Sequence, residues 1–286
     1  MSLVRAGFDG LRWLVAEGAG LTTHLAMYPV GLLQEQLTEH DGYRTDTLPP
    51  ARRSLLVTDL EAAGTPILLV HGVLDNRSVF AVFRHALRRR GFGVVHAVNY
   101  SIWTADIRAA AHQLRRHVER VCEQTGADHV HIVGHSLGGL IGRYYVQRMG
   151  GSELVDTLVT LGSPHRGTHT ADLVPTPLAR QLRPGSELLT ELSLPAPGCR
   201  TRLLVVWSEL DQMIVPQCNA TLTHPDLHIE QLELSDVGHF ALPVDPRSVH
   251  WVATNLARSD HRKARRPGAS ESNILGSSGS RASPAS

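Results

Sequence analysis

Short apolar runs alternate with amphipathic stretches through the middle of the chain. The runs are rich in Val, Ile and Leu, which is typical of buried strands. Strands are predicted near Val57 and at 67–70, 94–98, 130–133, 158–161, 203–207 and 229–234. Apolar positions at helical spacing predict helices at 79–90, 105–123, 137–149 and 246–257. This alternation predicts an α/β fold with a mainly parallel sheet that helices cover on both faces. Such a sheet carries its functional site beyond the carboxyl ends of the strands.

The two ends of the chain differ in composition from the middle. Residues 1–50 hold apolar stretches interrupted by Glu17, His24 and Pro29, so they predict a helical extension and not a membrane-spanning helix. The extension either packs on the core, which is the favoured alternative, or contacts a membrane surface peripherally. It lacks the pattern of a signal peptide, so the expected location is cytoplasmic or peripheral to a membrane. Residues 258–286 are rich in Arg, Ser, Gly and Pro and predict a disordered tail.

One segment interrupts the alternation inside the predicted core domain, residues 51–257. Residues 165–199 contain five prolines and a leucine-rich helical pattern. The segment lies between two predicted core strands, so it is interpreted as a small cap insertion over the site. Its leucines either line a pocket for an acyl chain or only pack on the core. The leucines assigned to the pocket are Leu173, Leu178, Leu188 and Leu189.

A serine lies at the sharpest predicted turn of the chain. The sequence Gly-His-Ser-Leu-Gly-Gly at 134–139 follows a β-branched strand and precedes a helical pattern rich in small residues. A strand-turn-helix with small residues on both sides of a serine is typical of a nucleophile elbow, because the chain packs tightly there. Ser136 is therefore the candidate nucleophile.

An attacking serine needs a base and a carboxylate that orients the base. In proteins with such an elbow, the chain order is serine, then Asp or Glu, then His. Asp211 follows the predicted strand 203–207, and His239 follows the predicted strand 229–234. His239 is the candidate base and Asp211 the candidate acid, with Glu209 as the alternative carboxylate.

Two backbone N–H groups are candidates for the oxyanion hole. The loop after a buried strand ending in His-Gly supplies one donor, and the residue after the nucleophile supplies the other. These positions are Val73 and Leu137.

Together, these motifs resemble an α/β-hydrolase of the bacterial lipase and esterase branch. The segments that carry the resemblance are 71–72, 134–139, 162–168 and 238–239, together with Asp211. The resemblance covers roughly residues 65–256. The sequence departs from the family at Ser208, where the family usually has Gly. The resemblance implies a hydrolase of carboxylic esters that acts on an ester or lipid-like substrate and needs no metal or organic cofactor.

Composition excludes some other classes of function. The chain has 286 residues, 42% of them hydrophobic, and a net charge of +1, so it can bury a large core and offers no electrostatic case for binding nucleic acid. Its three cysteines, Cys122, Cys199 and Cys218, show neither a disulfide framework nor metal-ligand spacing. His71 and His135 flank the site and are expected to serve packing and hydrogen bonding, and His165 is expected to be structural.

The function predicted from the sequence is a serine hydrolase that works through a Ser-His-Asp triad and an acyl-enzyme. Two alternatives remain open at this point. An acyltransferase would use the same triad and pass the acyl group to an alcohol or amine. A binding protein on this fold would not catalyse a reaction, although all three triad residues are present in this chain.

Overall fold

Six parallel strands form one sheet in the described part of the chain. The computed structural model describes residues 64–73, 77–98 and 106–258. The strands are β1 (Ile67–Val70), β2 (Val95–Val98), β3 (Val130–His135), β4 (Val155–Leu161), β5 (Arg202–Ser208) and β6 (His228–Leu234). Their order in the sheet is β2-β1-β3-β4-β5-β6, and every neighbouring pair is parallel. The predicted parallel α/β fold is confirmed, while the strand predicted near Val57 lies outside the described residues.

Helices cover both faces of this sheet. They are α1 (Ala81–Arg89), α2 (Ile107–Thr125), α3 (Leu137–Arg148), α4 (Pro177–Gln181), α5 (Glu187–Ser193) and α6 (Pro246–Leu256). Side chains alternate along each strand, so β1 sends Leu68 and Val70 to one face and Ile67 and Leu69 to the other. The first face packs against α2, α3 and α5, and the second packs against α1 and α6. Two cores therefore enclose the sheet, and its strand ends remain free to carry a site.

The helices begin and end at residues that satisfy their terminal backbone groups. The carboxylate of Asp106 accepts a hydrogen bond from the N–H of Arg108 at the start of α2 (2.9 Å), and Gly126 ends that helix in the left-handed region. Asp245 caps α6 in the same way, directly before Pro246. These caps account for why the helical patterns of the sequence stop where they do.

The segment 165–199 adds two short helices, α4 and α5, on the α2 and α3 side of the sheet. Leu188, Leu189 and Leu192 of α5 are buried in the core with α2 and α3. Of the two interpretations of these leucines, the structure therefore favours packing on the core for Leu188 and Leu189. Leu178 is half-buried against the same core.

Polar contacts also hold α5 in place. The guanidinium of Arg108 donates to Glu191 Oε2 from Nε (3.1 Å) and Nη2 (2.8 Å), and the hydroxyl of Tyr144 donates to Glu191 Oε1 (2.8 Å). The buried Arg143 of α3 donates to the carbonyl oxygens of His165 (3.1 Å) and Leu192 (3.0 Å). The insertion is thus fastened at both its first residue and the end of α5.

Several expectations fall on residues that the structure does not describe. The predicted extension 1–50 lies outside the described residues, as does the predicted tail beyond Arg258. In the ranges that are described, no helix is long and apolar enough to cross a membrane.

Candidate active site

Ser136 occupies a tight turn between β3 and α3. Its φ of 52° makes it the one non-glycine residue with positive φ in the described ranges, a conformation that costs energy for a side chain with a Cβ. Its N–H donates to the carbonyl oxygen of Leu161 in β4 (2.9 Å), which fixes the turn on the neighbouring strand. Ser136 is half-buried, whereas the residues on both sides of it are buried. The predicted elbow conformation is therefore present at the carboxyl edge of the sheet.

Close packing explains the glycines around this serine. A Cβ on Gly134 would clash with the backbone of Gly138 and Gly139. A Cβ on Gly138 would clash with the carbonyl oxygen of Val70 at the end of β1. Small residues are needed here because α3 leaves the strand at once and passes against the neighbouring strand end.

The predicted base and acid, His239 and Asp211, are joined by a short hydrogen bond. Nδ1 of His239 lies 2.7 Å from Oδ2 of Asp211, and the two side chains are 3% and 0% exposed. The other carboxylate oxygen, Oδ1, accepts from the N–H groups of Met213 (2.9 Å) and Ile214 (3.1 Å). Because an ionised carboxylate only accepts, Nδ1 carries the proton of a neutral His239 and leaves Nε2 able to accept one.

The alternative carboxylate has a different environment. Glu209 is exposed, and its N–H donates to the carbonyl oxygen of Leu234. Ser208, at the position where the resembling family usually has Gly, is buried and its hydroxyl accepts from the N–H of Leu210 (3.2 Å). The structure therefore joins His239 to Asp211, and the serine at position 208 stabilises the turn that leads to it.

His135 connects the serine turn to the histidine loop. Its Nε2 lies 3.2 Å from the backbone carbonyl oxygen of His239, and the two imidazole rings are 4.8 Å apart between centroids. His135 is the last residue of β3 and directly precedes Ser136. The loop after β6 thus comes to the same strand end as the serine.

The two candidate oxyanion donors lie on neighbouring strand ends. Val70 pairs with Gly134 in the register of β1 and β3, and Val73 and Leu137 are each three residues further along. Leu137 is the first residue of α3, so its N–H has no acceptor within the helix. Residues 74–76, which follow Val73, lie outside the described residues.

His165 lies buried at the start of the cap insertion. Its Nε2 lies 2.9 Å from the hydroxyl of Thr160, and its ring is buried. Burial, assisted by the charge of Arg143, lowers the pKa of His165 well below its ordinary value. The pKa of Arg143 itself is lowered to about 10, chiefly by burial, so Arg143 keeps its charge at neutral pH. His165 is therefore neutral in the folded protein, which agrees with the structural role expected from the sequence.

The neutral state of His165 predicts acid-sensitive stability. The unfolded chain binds a proton at this residue below a pH of about 6.5, whereas the folded chain does not. The free energy of unfolding should therefore fall as pH drops below about 6.5, by up to about 1.4 kcal/mol per pH unit for one such group. Denaturant unfolding at several pH values between 6.5 and 5 measures this fall. The free energy of unfolding should decrease less per pH unit for His165→Gln than for wild type. Equal decreases in the two proteins would contradict the buried neutral state.

An exposed apolar side chain lies in the segment 165–199, and another lies in the loop that carries Asp211. The hydroxyls of Thr168 and Thr170 donate to the carbonyl oxygen of Met213, which joins the start of the cap insertion to the loop that carries Asp211. Met213 is 45% exposed and Leu173 is 84% exposed. Leu173 thus lies on the surface, whereas the other three leucines assigned to the pocket pack on one core. We call Leu173 and Met213 the apolar rim.

No metal centre is suggested by the part of the chain that the structure describes. It contains no group of three or more His, Cys, Asp or Glu side chains that could hold a metal ion.

Solved structures share this fold. Lipase B of Aspergillus fumigatus aligns with a TM-score of 0.61 at 15% identity, covering 68% of this chain and 52% of that one. The mature lipase BlEst2 of Bacillus licheniformis aligns with a TM-score of 0.57 at 16% identity, covering 76% and 96%. The fold of this chain is the α/β-hydrolase fold.

The sequence places the chain within this class more closely. The family model described as palmitoyl protein thioesterase matches residues 66–219, more than half of the chain. The chain belongs to the palmitoyl protein thioesterase family. Triacylglycerol lipases of Pseudarthrobacter phenanthrenivorans and Burkholderia plantarii are each 33% identical over 117 residues. These matches cover 38% of this chain and 36% and 32% of the two lipases, so the chain matches about a third of their length.

Proposed function

We propose that this chain is a serine hydrolase that cleaves carboxylic esters with a lipid-like acyl chain. The observation that carries the proposal is the buried hydrogen bond between His239 and Asp211, which lies at the same edge of the sheet as the strained turn of Ser136. Two comparisons support cleavage of an acyl group. The chain belongs to the palmitoyl protein thioesterase family, and it is similar to triacylglycerol lipases.

In the first half of the reaction, Nε2 of His239 takes the proton of Ser136 as its Oγ attacks the ester carbonyl carbon. Asp211 stabilises the resulting imidazolium through the Nδ1 hydrogen bond. The N–H groups of Val73 and Leu137 hold the negative charge that develops on the carbonyl oxygen. The tetrahedral intermediate collapses when the imidazolium gives its proton to the leaving alcohol, and an acyl group remains on Ser136.

In the second half, His239 takes a proton from water, which attacks the acyl-enzyme. The same donors hold the second tetrahedral intermediate. The imidazolium then returns the proton to Oγ of Ser136, which leaves the free fatty acid and the original enzyme. An alcohol in place of water would give a new ester from the same acyl-enzyme.

The test is a profile of kcat/KM on p-nitrophenyl esters from acetate to palmitate, with an emulsified triglyceride and an acyl thioester alongside. Each buried methylene contributes about 0.8 kcal/mol, or nearly fourfold in binding. The rate constant should therefore climb with chain length until the acyl site is filled. A fall from acetate onward would overturn the lipid-like substrate. Predominant formation of a new ester when an alcohol acceptor is added would identify an acyltransferase instead.

The apolar rim is expected to contribute to this climb. Leu173→Ser and Met213→Ser should lower the ratio of octanoate to acetate kcat/KM severalfold, because each removes apolar surface that a longer chain could cover. Val82→Ser is the matched control, since Val82 is 55% exposed on α1, across the sheet from the cap insertion. An unchanged ratio in both rim variants would place the acyl chain elsewhere.

A further inference from the structure

The contact between His135 and His239 has a role that packing alone does not describe. We infer that His135 is a positioning residue, which sets the place of the catalytic base relative to Ser136. The inference rests on the proposed function, because it concerns how His239 reaches the serine.

The contact is a directed hydrogen bond. A carbonyl oxygen can only accept, so Nε2 of His135 carries a proton and donates it to the backbone of His239 over 3.2 Å. His135 is fully buried, with a relative exposure of 0%. Losing a buried donor leaves the carbonyl oxygen of His239 without this partner, which costs free energy unless the loop moves.

Two further contacts of His239 act differently. Asp211 binds Nδ1 of its side chain, and this bond orients the ring without fixing the backbone from which the ring extends. The same carbonyl oxygen also accepts from the N–H of Leu242 at 3.4 Å, and that contact lies within the loop's own short turn. Ser235 and Asp236, which lead into this turn, are exposed. The hydrogen bond from His135, in contrast, joins the backbone of the base to strand β3.

Strand β3 is also the strand that carries the nucleophile. His135 and Ser136 are consecutive, so the donor and the attacking oxygen share one short, buried piece of backbone. Proton transfer from Ser136 to Nε2 of His239 requires the two atoms to come within about 2.6–3.2 Å. A displacement of about 1 Å in such a geometry can cost about a hundredfold in rate. By holding the base to the strand of the nucleophile, His135 limits how far this separation can vary.

The effect should appear in kcat and not in KM. His135→Leu should lower kcat about tenfold or more, because the base is displaced while the acyl site is untouched. His135→Gln should keep most of kcat, since its side-chain amide can donate to the same carbonyl oxygen. His131→Leu is the matched control: it removes another buried histidine from β3, four residues earlier, and should leave kcat unchanged.

A double-mutant cycle separates positioning from a general loss of structure. If His135 acts through the base, adding His135→Leu to His239→Ala should cause little further loss of kcat, whereas independent effects would multiply. Thermal unfolding reports the fold of each variant. Should His135→Leu prove unstable, His135→Phe takes its place, because it keeps a ring against His239 and removes the donor.

The outcomes are distinct. A lower kcat with unchanged KM, rescue by Gln and non-additivity with His239→Ala support the positioning role. Two results would overturn the positioning role alone. In the first, the wild type is active and the folded His135→Leu and His135→Phe variants keep more than half of its kcat. In the second, the losses of kcat caused by His135→Leu and His239→Ala multiply fully. A wild-type protein without esterase or thioesterase activity overturns the proposed function, and the positioning role with it.

Discussion

Ser136→Ala is expected to lower the kcat of ester hydrolysis by about 10⁴-fold or more. The alanine keeps the chain geometry of the turn but has no oxygen to attack the substrate, so no acyl-enzyme can form. The strained φ of 52° remains tolerable because alanine is as small as serine at this position. Steady-state hydrolysis of a p-nitrophenyl ester measures the loss, and circular dichroism with thermal unfolding measures the fold.

A buried serine close to the elbow gives a matched control for this experiment. Ser163 follows β4, is 1% exposed, and lies where a Cβ on Gly139 would meet its hydroxyl. Ser163→Ala makes the same chemical change close to the elbow and should leave kcat near the wild-type value. A folded Ser136→Ala protein with more than a tenth of wild-type activity would refute the nucleophile, and an equal loss in Ser163→Ala would show that the assay reports local damage.

β1, β3 and β5 could be predicted from the sequence because each is a compact run of mainly apolar residues. A parallel sheet that is buried on both faces requires such runs, so hydrophobicity alone locates these three strands. The start of β4 could not be predicted in this way: Asp156 and Thr157 interrupt its apolar pattern, yet Thr157 pairs with β5 and the strand begins at Val155. Pairing between strands extends past the residues that hydrophobicity identifies.

The candidate site divides in the same way. Ser136 and His239 could be predicted because they lie in short local motifs. Asp211 could be predicted because it lies between them in the chain, shortly after a strand. The contact of His135 with His239 spans 104 residues, and that of Arg143 with Leu192 spans 49. No local pattern records contacts over such separations, because they depend on how the finished strands and helices pack.

The cap leucines show a different kind of ambiguity. Leucines at helical spacing satisfy both a pocket wall and a helix that packs on a core, since both need the same apolar face. Leu188 and Leu189 pack on the core in the structure, while Leu173, in the same insertion, is exposed. Only the position of α5 against α2 and α3 distinguishes these cases.

Asp211→Asn is expected to lose most of kcat, by about 10⁴-fold if its role matches that of other triad acids. The amide can present its N–H₂ group to Nδ1 of His239, which favours the tautomer with the proton on Nε2 and removes the lone pair that accepts the serine proton. The imidazolium also loses the negative charge that stabilises it. The residual activity of Asp211→Asn allows kcat/KM to be measured as a function of pH. The acid limb of that profile should differ from the acid limb of wild type.

Glu209→Gln is the matched change for this prediction, because it neutralises the neighbouring carboxylate of the same loop. Glu209 is exposed, whereas the buried Asp211 binds His239, so loss of the Glu209 charge should change kcat by less than about twofold. The reverse pattern, a large loss in Glu209→Gln with an active Asp211→Asn, would move the acid to Glu209. Small effects in both variants would contradict a carboxylate-oriented base, despite the 2.7 Å hydrogen bond between Asp211 and His239.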